Sequence, residues 1–373
     1  MKKYLIGFAV VFFLAGCSAT SSTEESNVFK VGWFGPLSGD MATYGQMAQE
    51  TLELRFDQIN EAEGIDGKKI EVVWEDGKCN PKDGSQAVQK LIGVDKVNVI
   101  FGSCSGTMLA AIPITEKNKV LLLTAFATTP ELSGTGEFFF RTVPSDSSQG
   151  RVLAEYANDN YSKVGILVEQ TDYAMGVAAR FEEVFMGEVM REDFLTTEAD
   201  FRTRITKLKN TDIEALVLFP QSPPKFDLLV TQLEDLRWET PLLGNEIMVS
   251  TPEVIERHAE FLSAHEAIGA NFTEPTSKEF QNFVTAYTER YERAPVYQNY
   301  VAAHVDLVDI FTSVLSEVGS LDDTTKLRDA FRAIEGFPGL MGNLTFDEEG
   351  NPNLAHSLLS FDGEKFVPLM LEQ

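Results

Sequence analysis

Seven short apolar runs, at 29–34, 69–74, 97–101, 120–123, 163–168, 214–219 and 267–271, punctuate this chain. They are rich in Val, Ile, Leu and Phe, and several are apolar throughout. A strand with one face in water alternates polar and apolar residues, whereas a strand covered on both faces does not. These runs therefore read as buried parallel strands. The segments between them carry a helical period. Over 44–63, Ala48, Leu52, Phe56 and Ile59 fall at spacings of four, four and three, one face of a helix, and Gly64 is the expected stop. Further helices are expected at 151–160, 172–186, 201–209, 225–236, 279–291 and 297–318. In the last of these, Val301, Val305, Val308, Phe311, Leu315 and Val318 repeat the stripe. Strands alternating with helices give an α/β chain whose parallel sheets are flanked by helices. A length of 373 residues exceeds a typical single core, so two lobes are expected.

In such sheets, ligands sit where strands run out into loops that lead to helices. Gly35-Pro36-Leu37-Ser38-Gly39 follows the first run and leads to Tyr44-Gly45. Gly102-Ser103-Cys104-Ser105-Gly106-Thr107 follows the third, and Thr124-Ala125-Phe126-Ala127-Thr128-Thr129-Pro130-Glu131 the fourth. Each is rich in small or hydroxyl residues, and each is expected to open a helix. Free N–H groups and the dipole at a helix start favour an anion, and Ser or Thr hydroxyls add donors. Ordinary N-capping uses the same residues, so both readings stand for each loop.

The amino terminus carries an export signature. Lys2 and Lys3 precede an apolar run over 5–14, too short to span a bilayer as a helix, and Leu14-Ala15-Gly16-Cys17 closes it. This tetrapeptide resembles the lipobox of bacterial lipoproteins, which implies cleavage before Cys17 and a lipid on it. Residues 1–16 are then a signal, and 17–27, rich in Ser, Thr and Glu, a tether. Of three cysteines, Cys79 and Cys104 remain, and outside the cytoplasm two such thiols are expected to pair. Neither has a near second ligand, so no metal or other cofactor is expected. Of the four histidines, His258 and His265 could share a helix face as solvated surface. The net charge of −26 at pH 7 repels nucleic acid and anionic lipid.

The loops named above, together with Cys79-Asn80-Pro81-Lys82 and Ala127-Thr128-Thr129-Pro130-Glu131-Leu132, resemble the leucine/isoleucine/valine-binding family in order and spacing. These are type I solute-binding proteins of ABC importers. The resemblance runs from Val28 to about Leu369 and lies in the ordered set of motifs, each weak alone. It implies two α/β lobes, each a parallel sheet flanked by helices, joined by three hinge crossings. The first lobe is placed at 28–146 plus 273–347 and the second at 147–272 plus 348–373. It also implies a Cys79–Cys104 disulfide, a small-molecule amino acid ligand, an ABC permease as partner, and a monomer held at the periplasmic or outer cell surface.

The family's ligand residues carry over one at a time. Its carboxylate-binding Ser matches Ser105. Thr128 matches a Thr that contacts both ends of the ligand, and Phe126 a position whose backbone touches it. Tyr173 matches a second-lobe Tyr, and Glu246 in Gly244-Asn245-Glu246 the acid that pairs with the ligand's ammonium. Tyr44 joins this set; for Tyr44 and Tyr173 the alternative is packing at the lobe surface. Ser222 stands where the family has a second Tyr. Ser103 and bulky Phe126 replace an apolar and a small residue in the side-chain pocket. These departures weaken leucine as the ligand. Urea, short amides or aromatic acids on the same fold, or a ligand-sensing role, are the alternatives. No His-Glu-x-x-His, Gly-x-Ser-x-Gly or Gly-rich phosphate signature occurs, so an enzyme is not expected.

Overall fold

The apolar runs assemble into two separate sheets in the computed structural model, which describes residues 27–272 and 275–369. The first sheet contains β1 (Val28–Gly35), β2 (Lys69–Asp76), β3 (Val99–Gly102), β4 (Leu121–Thr124) and β5 (Phe139–Arg141). Its order is β2-β1-β3-β4-β5, and every pairing is parallel. The chain continues with β6 (Lys163–Glu169), β7 (Glu188–Phe194), β8 (Ala215–Phe219), β9 (Leu242–Gly244) and β10 (Ile268–Phe272). A hairpin of β11 (Phe337–Gly339) and β12 (Gly342–Leu344) follows, then β13 (His356–Phe361) and β14 (Phe366–Pro368). The second sheet runs β14-β13-β10-β9-β8-β6-β7, parallel except where β13 and β14 join it. Every residue of β3, β4 and β8 is buried, as unbroken apolar runs require.

The helices are α1 (Ala42–Glu61), α2 (Pro81–Gly93), α3 (Ser105–Asn118), α4 (Asp146–Asn160), α5 (Asp172–Val184), α6 (Arg202–Lys209) and α7 (Pro223–Asp235). The short α8 (Glu246–Val249), α9 (Pro252–Arg257) and α10 (Ala259–Ala264) follow, then α11 (Lys278–Tyr291), α12 (Gln298–Val318) and α13 (Thr324–Arg332). Helices α12 and α13 return to pack on β4, while α4 packs on β10 and β13 of the other sheet. The chain thus passes between the two layered units three times: after β5, after β10 and before β13. Among the described residues no helix is long and apolar enough to cross a membrane. The expected signal at 1–16 and Cys17 lie outside the described residues.

Several expectations need correction. The loop over 124–131 opens only a single 3-10 turn, Pro130–Leu132, because the chain turns extended at Ser133. His258 and His265 are buried, not solvated. His258 reaches Glu234 at 2.9 Å and Asp227 at 3.0 Å. His265 stacks on Phe261 and reaches the Trp238 carbonyl at 2.7 Å. The sequence reading gives no helix at α2 or α13. α2 buries small residues, Gly84 and Ala87, beside Val88 and Leu91. Its mark was the start: Asn80 caps the Lys82 and Asp83 N–H groups, with Pro81 in the first turn. Gly45 has a packing reason, since a Cβ there would fall on the Pro36 carbonyl oxygen.

His304, inside α12, is fully buried and donates from Nδ1 to the Tyr300 carbonyl at 2.7 Å. Burial pushes its pKa down from 6.5 to about 4. The unfolded chain therefore binds a proton that the folded chain refuses between those values, and stability falls as pH drops through that window. Relative to His304→Gln, the native chain should lose about 1.4 kcal/mol per pH unit there. Urea denaturation of both at several pH values checks this; a pH-independent difference would contradict it.

Candidate ligand-binding site

The loops after β1, β3 and β4 converge with those after β6, β8 and β9 at the carboxyl ends of both sheets. Met41, Tyr44, Ser105, Phe126 and Thr128 line one cavity there with Tyr173, Gln221, Glu246, Ile247 and Tyr300. As closed here it leaves about 20 Å³ of free space. The Cys79–Cys104 disulfide, with Cα atoms 5.5 Å apart, forms part of the wall and fixes the start of α3 against the loop before α2. Six of the eight sequence-expected side chains are thus brought together. The other two are not. Ser103 is buried behind the wall, with its Cβ facing Gly35. Ser222 precedes α7 and lines a wider outer cleft with Asp40, Lys78 and Glu169.

The hydroxyl-rich loops do not use their side chains as helix caps. No side-chain cap is made at α1, α3 or the 3-10 turn. Ser105 Oγ instead accepts from the Thr129 N–H at 3.2 Å, tying the third-strand loop to the fourth. Thr124 Oγ1 accepts from the Phe126 and Ala127 N–H groups, both at 3.1 Å. Capping is therefore excluded for these loops, and the first-turn amides of α3 point into a site with hydroxyls beside them.

Beside them lies a buried acid pair. Glu246 opens α8, and its Oε1 accepts from the Tyr300 hydroxyl at 2.9 Å. Its other oxygen accepts from Gln149 Nε2, and the Tyr173 hydroxyl donates to Gln149 Oε1 at 3.4 Å. Burial raises the Glu246 pKa, and the hydrogen bonds from Gln149, Tyr173 and Tyr300 oppose that rise. Asp146, first residue of α4, is fully buried, and its N–H donates to the Thr128 carbonyl at 2.9 Å. Burial holds its carboxyl well above the usual range, and the Glu246 charge adds to this. The Thr128 hydroxyl and Arg141 pull the other way. One oxygen of each acid and one ring nitrogen of His356 lie within 4.8 Å of one another. These are the atoms a metal ion could use. Glu246 already accepts two side-chain hydrogen bonds, so the cluster equally suits a cation that brings its own N–H donors.

Arg141 supports this arrangement from beneath. It is completely buried and donates to the Thr128 and Thr129 carbonyls at 2.9 and 3.0 Å. Its other nitrogens reach Asn351 Oδ1 and Ser133 Oγ, each at 2.9 Å. Burial lowers its pKa to about 10, a loss limited by Asp146. His356, whose Nδ1 lies 2.6 Å from Ser148 Oγ, is pushed down to about 3 by burial and then by Arg141. Asp146, Gln149, Tyr300, Arg141 and His356 escaped the sequence reading. Asp146 and Gln149 sit in the first turn of α4, which begins five residues before the expected start at 151. Ser145, which accepts from the Ser147 N–H, was the available signal. Tyr300 lies in a stripe read only as helix packing.

Two layered α/β units, three chain passages and a polar cavity at their strand ends define a hinged small-molecule binder. The chain belongs to the periplasmic binding protein family, whose model matches residues 28–360. It is 26% identical over 346 residues to the "Leucine-, isoleucine-, valine-, threonine-, and alanine-binding protein" of Pseudomonas aeruginosa, covering 91% of this chain and 90% of that one. The isoleucine complex of the branched-chain amino acid transporter substrate binding protein LivJ from Streptococcus pneumoniae superposes with a TM-score of 0.80. It is 27% identical, over 91% of this chain and 97% of that one. A benzoate complex of an ABC transporter solute binding protein from R. palustris shares the fold at a TM-score of 0.79 and 18% identity, over 92% and 95% of the two chains.

Replacing Arg141 by Met should cost about 3–5 kcal/mol, because four buried oxygen acceptors lose their donor and Asp146 loses a nearby positive charge. Chemical denaturation measures this; a loss under about 1 kcal/mol would show that the network is not needed for stability.

Proposed function

We propose that this chain is an extracytoplasmic capture protein for an α-amino acid, which it delivers to an ABC-type permease. The supporting observation is the polarity of one cavity. Ser105, Thr128 and the start of α3 offer donors on its wall, and Glu246, with Asp146 buried behind the wall, offers an acid. A zwitterion needs both: its carboxylate takes the donors and its ammonium the acid. Charge-assisted hydrogen bonds of this kind contribute roughly 1.5–3 kcal/mol each. A ligand lacking the amine would leave two buried acids without a cation, which is the basis of selectivity. The relatives' names agree, being amino acid-binding proteins and not enzymes; one of them includes threonine and alanine.

In this reading the lobes are 28–146 plus 273–347 and 147–272 plus 348–373, and ligand contacts to both favour the closed form that a permease reads. Ser105, Thr128 and Phe126 belong to the first lobe, and Tyr173 and Glu246 to the second, with Asp146 at the boundary between them. Cleavage before Cys17 and a lipid there would hold the protein at the membrane surface, with 17–27 as a tether.

Asp146→Asn and Glu246→Gln should each weaken amino acid binding at least 100-fold, about 2.7 kcal/mol, while the circular dichroism spectrum stays unchanged. Titration calorimetry of the ligand-stripped protein tests this. Native affinity in both variants, or binding of benzoate or urea with no response to amino acids, would overturn the proposal.

A further inference from the structure

Resting on the amino-acid reading, we infer that the ligand is an amino acid with a small side chain, of the glycine, alanine or serine class, and that Phe126 sets this limit. With the two ends of the ligand assigned, its side chain must face the apolar part of the wall. That part is dominated by three rings in mutual contact. Phe126 lies 5.1 Å from Tyr44 and 4.9 Å from Tyr300, centroid to centroid, and Tyr44 lies 5.9 Å from Tyr300. Rings at such separations touch, so no aliphatic chain passes between them.

None of the three is free to step aside. Tyr44 is stacked on Tyr297 at 3.8 Å. Tyr300 is packed edge-on against Phe272 at 5.1 Å, and its hydroxyl is fixed to Glu246 at 2.9 Å. Moving Tyr300 would release the acid that holds the ammonium. Phe126 is anchored through its N–H to Thr124 Oγ1 at 3.1 Å. The free space left within the cavity is only about 20 Å³, room for about one water. Phe126 is the ring that belongs to the same loop as Thr128, so its size directly fixes the space left beside the ligand's α-carbon.

Calorimetry on the stripped protein with glycine, alanine, serine, valine, leucine, isoleucine, phenylalanine, glutamine and arginine tests this. Alanine, serine or glycine should bind tightest, with leucine and isoleucine at least tenfold weaker. Phe126→Ala should move the leucine-to-alanine affinity ratio at least tenfold toward leucine. If that variant does not fold, as judged by its melting curve, Phe126→Leu should shift the ratio in the same direction. Leucine, or a long polar amino acid, binding the native chain as tightly as alanine would overturn the size limit alone. Silence toward every amino acid would overturn both the amino-acid reading and this inference.

Discussion

The burial of two carboxylates beside each other, Asp146 and Glu246, is the constraint around which the site is organised. Burying an acid is costly unless donors or a cation compensate it. The chain supplies that compensation from elements far apart in sequence. Gln149 comes from α4, Tyr300 from α12 and Arg141 from the end of β5. Glu246 follows β9 in the second sheet, whereas α12 packs on β4 of the first. The Glu246–Tyr300 hydrogen bond therefore joins the two layered units at the cavity. Arg141 joins two of the chain passages, because it stands just before one and holds Asn351 in another. Electrostatics and hinge geometry are thus one structure.

On the amino-acid reading, the same constraint bears on what the cavity would select. Hydrogen bonds from Gln149 and Tyr300 offset part of Glu246's burial, and Arg141 offsets part of Asp146's. A cation bearing N–H groups completes the compensation. The hydroxyls of Ser105 and Thr128, which cap no helix, line the same small space. A closed cleft is then favoured only by a ligand that satisfies the acid and the hydroxyls at once, which links recognition to the conformational change. The aromatic triangle of Tyr44, Phe126 and Tyr300 does separate work: it controls how much room remains once both are satisfied.

Buried strands were legible because nothing about them is ambiguous. β1, β6 and β8 are short, apolar and covered on both faces, so pattern alone locates them. β7 was not, since Glu188, Arg191, Glu192 and Asp193 make an edge strand look like a loop. The strands β5 and β9 have three residues each and offer no period to detect. In the site, the residues carried by local motifs were legible: Ser105, Thr128, Tyr173 and Glu246 all sit just past strand ends. Tyr300 was not, because it reaches the cavity from a helix whose sequence pattern reports packing, and Asp146, buried behind the wall, begins a helix whose start was placed later. Ser103 and Ser222 show the reverse error, since a correct loop does not guarantee that every residue in it faces the cavity.

Proton counting on binding tests the electrostatic account most directly. Calorimetry of alanine binding at about pH 6, repeated in buffers of different ionisation enthalpy, gives the number of protons exchanged. Burial pushes the pKa of both Asp146 and Glu246 upward, the Glu246 charge adds to the rise of Asp146, and an arriving ammonium favours the ionised forms. The account therefore predicts net proton release, abolished in Asp146→Asn. Zero exchange, or proton uptake, would contradict it.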